Sequence, residues 1–186
     1  GQVNVAVRPR QPGSAFKPFV YTQAWRRGYT PSSILFDVAT KFPGNGQAYE
    51  PKNYDLSERG PISLRKSLQG SLNITAVKLL YLVGVGPVLD LASDLGYTTL
   101  TDPDRYGLSL VLGGGEVQLL EHTAAYATLA NEGEYFEPTA ILEVTTSGGD
   151  VLYTFEPEGN QVLDENTARI TTNVLSDDNA RAFAFG

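Results

Sequence analysis

Cysteine is absent from the 186 residues, so no disulfide braces this chain and no thiolate is on hand for a metal. Histidine occurs once, as His122. A Ser-His-Asp arrangement would have to use that residue, yet residues 116–131 read as an amphipathic helix, which gives His122 a structural place. With one histidine and no cysteine, neither a transition-metal site nor a cofactor is expected. There is no apolar run of about 18 residues, hence no membrane-spanning stretch in this sequence. Basic charge is scarce: 14 Lys and Arg stand against 21 Asp and Glu, for a net charge of −7 and no long basic run. That balance argues against nucleic acid as a partner. No internal repeat or low-complexity tract is visible. The run Gly113-Gly114-Gly115 leads into Glu116 with neither a lysine nor a preceding strand, so it does not read as a phosphate cradle.

What is there begins with Gln11-Pro12-Gly13-Ser14-Ala15-Phe16-Lys17-Pro18-Phe19. Ser14 and Lys17 stand three residues apart at the expected start of a helix over 14–27, a step of about 300° that puts both side chains on nearly one face. A serine hydroxyl beside a lysine amine is a minimal nucleophile and base. Lysine serves as a base only when neutral, so an amine working near pH 7 needs its pKa lowered by roughly 3 units, about 4–5 kcal/mol. Burial supplies such a shift, and Phe16, Phe19 and Tyr21 lie close in sequence to exclude water. At a helix N-terminus the Ser14 N–H is also free to act as an oxyanion donor.

A second element follows at Ser71-Leu72-Asn73, on a connection between two helical patterns broken at Gly70. Read plainly, it is a cap, since Ser and Asn both favour helix N-termini. Read chemically, it offers a hydroxyl to relay protons and an amide to hold a substrate carbonyl. Ser-x-x-Lys with Ser-x-Asn is part of the signature of β-lactamases and penicillin-binding proteins. Here the chain resembles the transpeptidase domain of the bifunctional, class A penicillin-binding proteins. The likeness extends through Asn53-Tyr54-Asp55, Gly60-Pro61, Leu64-Arg65, Ala76-Val77-Lys78-Leu79, Leu112 to Val117, Ala124 to Ala127 and Ala130-Asn131. The resemblance implies that Ser14 is the acylated nucleophile, Lys17 its base, Ser71 a proton shuttle and Asn73 a substrate-binding amide. It implies attack on the D-Ala-D-Ala bond of a peptidoglycan stem peptide, resolution by a neighbouring amine, and acylation by β-lactams. It also implies an extracytoplasmic location, with any membrane anchor or glycosyltransferase lying upstream of these residues. The competing readings are a serine β-lactamase, for which Glu50, Asp55 and Glu58 are the carboxylates on offer, and a non-catalytic penicillin-binding sensor.

The family's third motif, Lys-Thr-Gly, has no counterpart. No Lys, Arg or His is followed by Ser or Thr and then Gly, and His122-Thr123-Ala124 is the nearest approach. Residues 1–186 are therefore expected to form part of one domain, cut at both ends. That strand bears a donor of the oxyanion hole, and loss of one donor costs about 10²–10³ in rate. This chain alone is accordingly expected to be inactive.

Along the chain, residues 28–60 read as a long irregular segment containing Pro43-Gly44-Asn45-Gly46. Helices are expected over 62–69, 74–83 and 88–95, the Gly113–Gly115 run serves as a flexible entry to the helix at 116, and a last helix covers 163–175 with Asp164 as its cap. Ser147-Gly148-Gly149-Asp150 separates strand patterns at 140–146 and 151–155, a hairpin signal. The expected class is α+β: the mainly helical portion of a penicillin-binding-protein or β-lactamase-like fold, with one hairpin and an incomplete central sheet. The helices that pack on such a sheet leave an apolar face for a second polypeptide or another copy to cover.

Overall fold

The computed structural model describes residues 2–43, 48–178 and 182. Gly44, Asn45 and Gly46 of the expected loop, and the terminal Phe185-Gly186, lie outside these residues.

The fold is organised around α1, Lys17–Arg26, preceded by a 3-10 turn at Gly13–Phe16. Helical spacing of Phe16, Val20 and Ala24 in the sequence predicts one apolar stripe on this helix. Instead every residue from Lys17 to Trp25 is buried, because α2 (Leu64–Gln69), α3 (Asn73–Val83), α4 (Val85–Asp94) and α6 (Glu165–Leu175) all pack around it. Thr22 is tolerated there because its hydroxyl donates to the Pro18 carbonyl at 2.8 Å and shares a hydrogen with Thr171 of α6 at 2.9 Å. Phe19, Leu64, Leu79, Leu80, Leu91 and Leu95 close the core. Among the described residues no single helix is long and apolar enough to cross a membrane.

The segment 28–60 is less irregular than expected. It contains β1, Ile34–Asp37, which pairs antiparallel with β2, Gly60–Ser63, in the register Ile34 to Ser63 and Asp37 to Gly60. Ile62, expected in a helix, belongs to β2. The helix starts two residues later, where the Ser63 hydroxyl accepts the Lys66 N–H as a cap. α5 also starts later than the pattern implied, at Leu119, and runs to Ala130. Before it, Val117 exchanges both backbone hydrogen bonds with Arg10, each 2.9 Å, which holds that residue extended. The glycines ahead of it are packed rather than flexible: a Cβ on Gly113 would lie 2.1 Å from the Gly13 nitrogen.

The hairpin is present as β4 (Glu143–Thr145) and β5 (Val151–Thr154), exposed and shorter than the pattern. A third antiparallel pair, β3 (Glu134–Phe136) with β6 (Gly159–Gln161), joins residues with no local turn signal between them. The described strands thus form three two-stranded sheets and no larger one, as the α+β reading with an incomplete central sheet requires. α6 begins where expected, with the Asp164 carboxylate accepting the Thr167 N–H at 2.9 Å.

Candidate active site

Gly13 has φ +60°, which starts the tight turn that leaves Ser14 exposed at the head of α1. Early in a 3-10 turn, the Ser14 N–H has no carbonyl three residues back within the turn to bond. Two contacts brace this turn from α5 and the glycine run: the Tyr126 hydroxyl donates to the Ala15 carbonyl at 2.8 Å, and the Gly113 backbone lies against Gly13.

Lys17, at the first position of α1, points inward and is 1% exposed. Its ammonium donates to the Ser71 carbonyl at 2.6 Å, the Ser71 hydroxyl at 3.1 Å and the Asn73 side-chain carbonyl at 2.7 Å. An ammonium has three hydrogens, so its donors are fully used. Among the described residues no hydrogen bond joins Ser14 to Lys17. Ser14, Lys17 and Ser71 instead share the wall of one cleft of about 310 Å³, with Leu68 and Leu175 as apolar surroundings. All three acceptors on Lys17 are neutral. Burial without a counter-charge disfavours the ammonium and lowers the Lys17 pKa from 10.5 to about 8.

The carbonyl reaches Lys17 because Ser71 adopts the left-handed conformation, φ +50°, which for a residue with a side chain costs roughly 1–2 kcal/mol. The turn is held by Ser71 and Leu72 N–H groups bonded back to Leu68 and Ser67 at 3.0 Å each. α3 then begins at Asn73. Ser71 also borders a second cleft of about 200 Å³, which contains Asn53, Tyr54, Asp55 and Arg59.

Sequence reasoning did not single out Gln69 or Asp37, and it named Asn53 only within the Asn53-Tyr54-Asp55 stretch of the family likeness, with no role of its own. Gln69 lines the Ser14 cleft, with its amide N–H₂ on the Val174 carbonyl and its buried Oε1 without a partner among the described residues. Asn53 and Asp37 pair with each other at the far side of the Ser71 turn. For Asp37 the available signal was an acidic residue closing the apolar run Ile34-Leu35-Phe36.

His122 is a core residue. Its Nδ1 pairs with the Tyr97 hydroxyl at 2.5 Å, rings of Phe19, Tyr97 and Tyr126 surround it, and burial lowers its pKa. The carboxylates weighed for a deacylating water do not line the Ser14 cleft. Asp55 is held by Arg59 at 2.6 Å, and Glu50 and Glu58 border a separate cleft beyond Asn53. Among the described residues no group of three acidic or His side chains is placed to hold a metal.

The family model described as penicillin binding protein transpeptidase domain matches residues 3–182. Among curated relatives, penicillin-binding protein 1A of Aquifex aeolicus is 38% identical over 94% of this chain, and penicillin-binding protein 2D of Bacillus subtilis is 36% identical over 90%. The chain spans 24% of the length of each. The crystal structure of penicillin-binding protein 1A from Haemophilus influenzae superimposes with a TM-score of 0.85 at 25% identity, covering 94% of this chain and 31% of that one.

Proposed function

Since the chain belongs to the penicillin-binding protein transpeptidase family, we propose that it is part of a peptidoglycan D,D-transpeptidase domain whose acyl-enzyme forms on Ser14. The Ser14 oxygen attacks the carbonyl between the two terminal D-alanines of a stem peptide, and its proton passes to neutral Lys17. The D-alanine leaving group takes a proton from the Ser71 hydroxyl, which Lys17 replenishes across their 3.1 Å contact. Asn73 both holds the Lys17 ammonium and offers its amide edge to the substrate. An amine from a neighbouring stem peptide then displaces Ser14. β-Lactams acylate the same oxygen, and the site works on the outer face of the cell membrane, where its substrate is.

One observation carries this reading: Lys17 is buried with three neutral acceptors and, among the described residues, no carboxylate, so a fraction of it is a free base at neutral pH. Among the described residues no carboxylate lines the Ser14 cleft to activate water, as the β-lactamase alternative needs. On this reading residues 1–186 are one part of a longer domain, and the strand bearing Lys-Thr-Gly lies elsewhere in the polypeptide. The test is mass spectrometry after exposure to benzylpenicillin. The longer polypeptide should gain one penicilloyl group on Ser14 and hydrolyse nitrocefin only as a single burst. The 186-residue chain alone should acylate slowly or not at all. Absence of label on the longer polypeptide would refute the reading, and rapid stoichiometric label on the short one would refute its dependence on further strands.

A further inference from the structure

α3 carries Asn73 at its first position, yet its own N-cap residue, Leu72, has no side chain able to cap it. The cap comes from a loop twenty residues earlier. Asn53 is 3% exposed, and its Oδ1 accepts the N–H of Asn73 at 2.8 Å and that of Ile74 at 3.3 Å. Its amide nitrogen donates to the Ser57 carbonyl at 2.8 Å and to both oxygens of Asp37, at 3.0 and 2.9 Å. Asp37 is fully buried and also accepts the Arg59 N–H at 3.1 Å, with the Arg59 guanidinium 3.8 Å away. An ionised carboxylate only accepts, so it fixes which end of the Asn53 amide faces it. The Asn53 oxygen is thereby turned toward the helix, where the N–H groups need it. The adjoining Lys52 carbonyl does the same to Asn73: it accepts the Asn73 side-chain N–H₂ at 2.9 Å, which leaves the Asn73 oxygen for Lys17. Two successive amide orientations are thus set from outside the cleft.

We propose that Asp37 and Asn53 are positioning residues for Ser14 acylation: Asp37 orients the Asn53 amide, and Asn53 caps α3 from across the loop so that the Ser71–Asn73 turn stays on Lys17. Neither lines the Ser14 cleft. The inference rests on the transpeptidase reading above.

The experiment uses the longer polypeptide containing these residues and separates noncovalent binding (Kd) from acylation (k2) by stopped-flow with a fluorescent penicillin, normalised to the titrated active fraction. Asn53→Asp sets two carboxylates face to face and should lower k2 on the order of tenfold to a hundredfold, as small misplacements of catalytic groups do. Asp37→Asn, nearly the same shape, removes the lock on the amide and should lower k2 by several-fold. The double swap Asp37→Asn/Asn53→Asp puts an accepting carboxylate on the helix end and a donating amide behind it. It should raise k2 severalfold above that of Asn53→Asp if amide polarity is what matters, and stay short of the original because the relocated carboxylate also faces the Ser57 carbonyl and stands nearer Lys17. A core control, Leu79→Ala on the same helix, should lower the melting temperature and leave k2 of the folded fraction unchanged. If Asn53→Asp loses melting temperature and keeps its k2, or if the double swap stays as slow as Asn53→Asp, the positioning role is wrong. If the unaltered polypeptide takes no penicillin at all, the underlying transpeptidase reading has failed instead. Should Asn53→Asp not fold, Asp37→Asn and the double swap decide the matter between them.

Discussion

Replacing Asn73 by Asp tests the electrostatic design of the site directly. The substitution keeps the shape and places a carboxylate where a neutral oxygen now lies 2.7 Å from the Lys17 nitrogen. With the Lys17 pKa at about 8, roughly one amine in ten is neutral at pH 7. Opposite charges 2.7 Å apart attract by about 6 kcal/mol at an effective dielectric near 20, and close ion pairs shift pKa values by about 1–3 units. A shift of about 2 units leaves only about one amine in a thousand neutral at pH 7. Acylation of Ser14 at that pH should therefore fall about a hundredfold, and the midpoint of its pH profile should climb from near 8 to near 10. The assay is the rate of fluorescent-penicillin acylation between pH 6 and 10.5 in the longer polypeptide, per folded active site. Normalisation matters, because the Lys52 carbonyl would face a carboxylate oxygen and cost about 1–3 kcal/mol. Asn73 is also an expected substrate contact, so the plateau can drop for that reason alone, and the midpoint is the discriminating quantity. A slower enzyme whose midpoint stays near pH 8 would refute the idea that neutral Lys17 limits the reaction.

Two further outcomes follow from the same geometry. Lys17 has a lower pKa folded than unfolded, so between about pH 8 and 10.5 the unfolded chain binds more protons and stability rises with pH. The penalty of the buried ammonium is full below pH 8. In urea unfolding, the stability of the original relative to Lys17→Met should improve by about 3 kcal/mol from pH 7 to 10.5, and a flat difference would contradict the burial argument. Gly113→Ala combines a left-handed φ of +82° with a Cβ 2.1 Å from the Gly13 nitrogen. It should cost about 2–4 kcal/mol in urea unfolding and slow Ser14 acylation of the folded fraction, since the displaced backbone directly precedes Ser14.

The site was legible where chemistry is written in short spacing, and the fold where periodicity is local. Ser14 with Lys17, and Ser71 with Asn73, are each visible within four residues. So is the hairpin of β4 and β5, whose turn is four small and polar residues, and so is the Asp164 cap. What failed to show depends on distant segments. β1 was hidden because its pattern is inverted: Ile34 and Phe36 are exposed and Asp37 is buried. Only the partner Asn53, sixteen residues away, makes that arrangement acceptable. The expected start of α5 falls early because Val117 fits a helix by composition, and its pairing with Arg10 across more than a hundred residues overrides that preference. Spacing put Ser14 and Lys17 on one face, but it could not reveal that the Ser71 turn would take all three ammonium hydrogens. That outcome depends on how α1 meets the α2–α3 connection.

The charge pattern gives that arrangement its meaning. The chain carries 21 acidic residues, and elsewhere it pairs cations with them freely: Arg59 with Asp55, Arg65 with Asp177, Arg169 with Glu132 and Glu165. Lys17, the most deeply buried cation of the described residues, has no such partner among them. A carboxylate there would make the ammonium cheaper to bury and would push its pKa up, away from the range where it can accept a proton. Asp37, the buried carboxylate at the other end of the chain of hydrogen bonds, is separated from the amine by Asn53 and Asn73, so the charge is kept away from Lys17 while the helix end is held. On the proposed mechanism, the stability lost by burying the Lys17 ammonium keeps the amine available as a base, and the neutral acceptors of Ser71 and Asn73 make that burial tolerable.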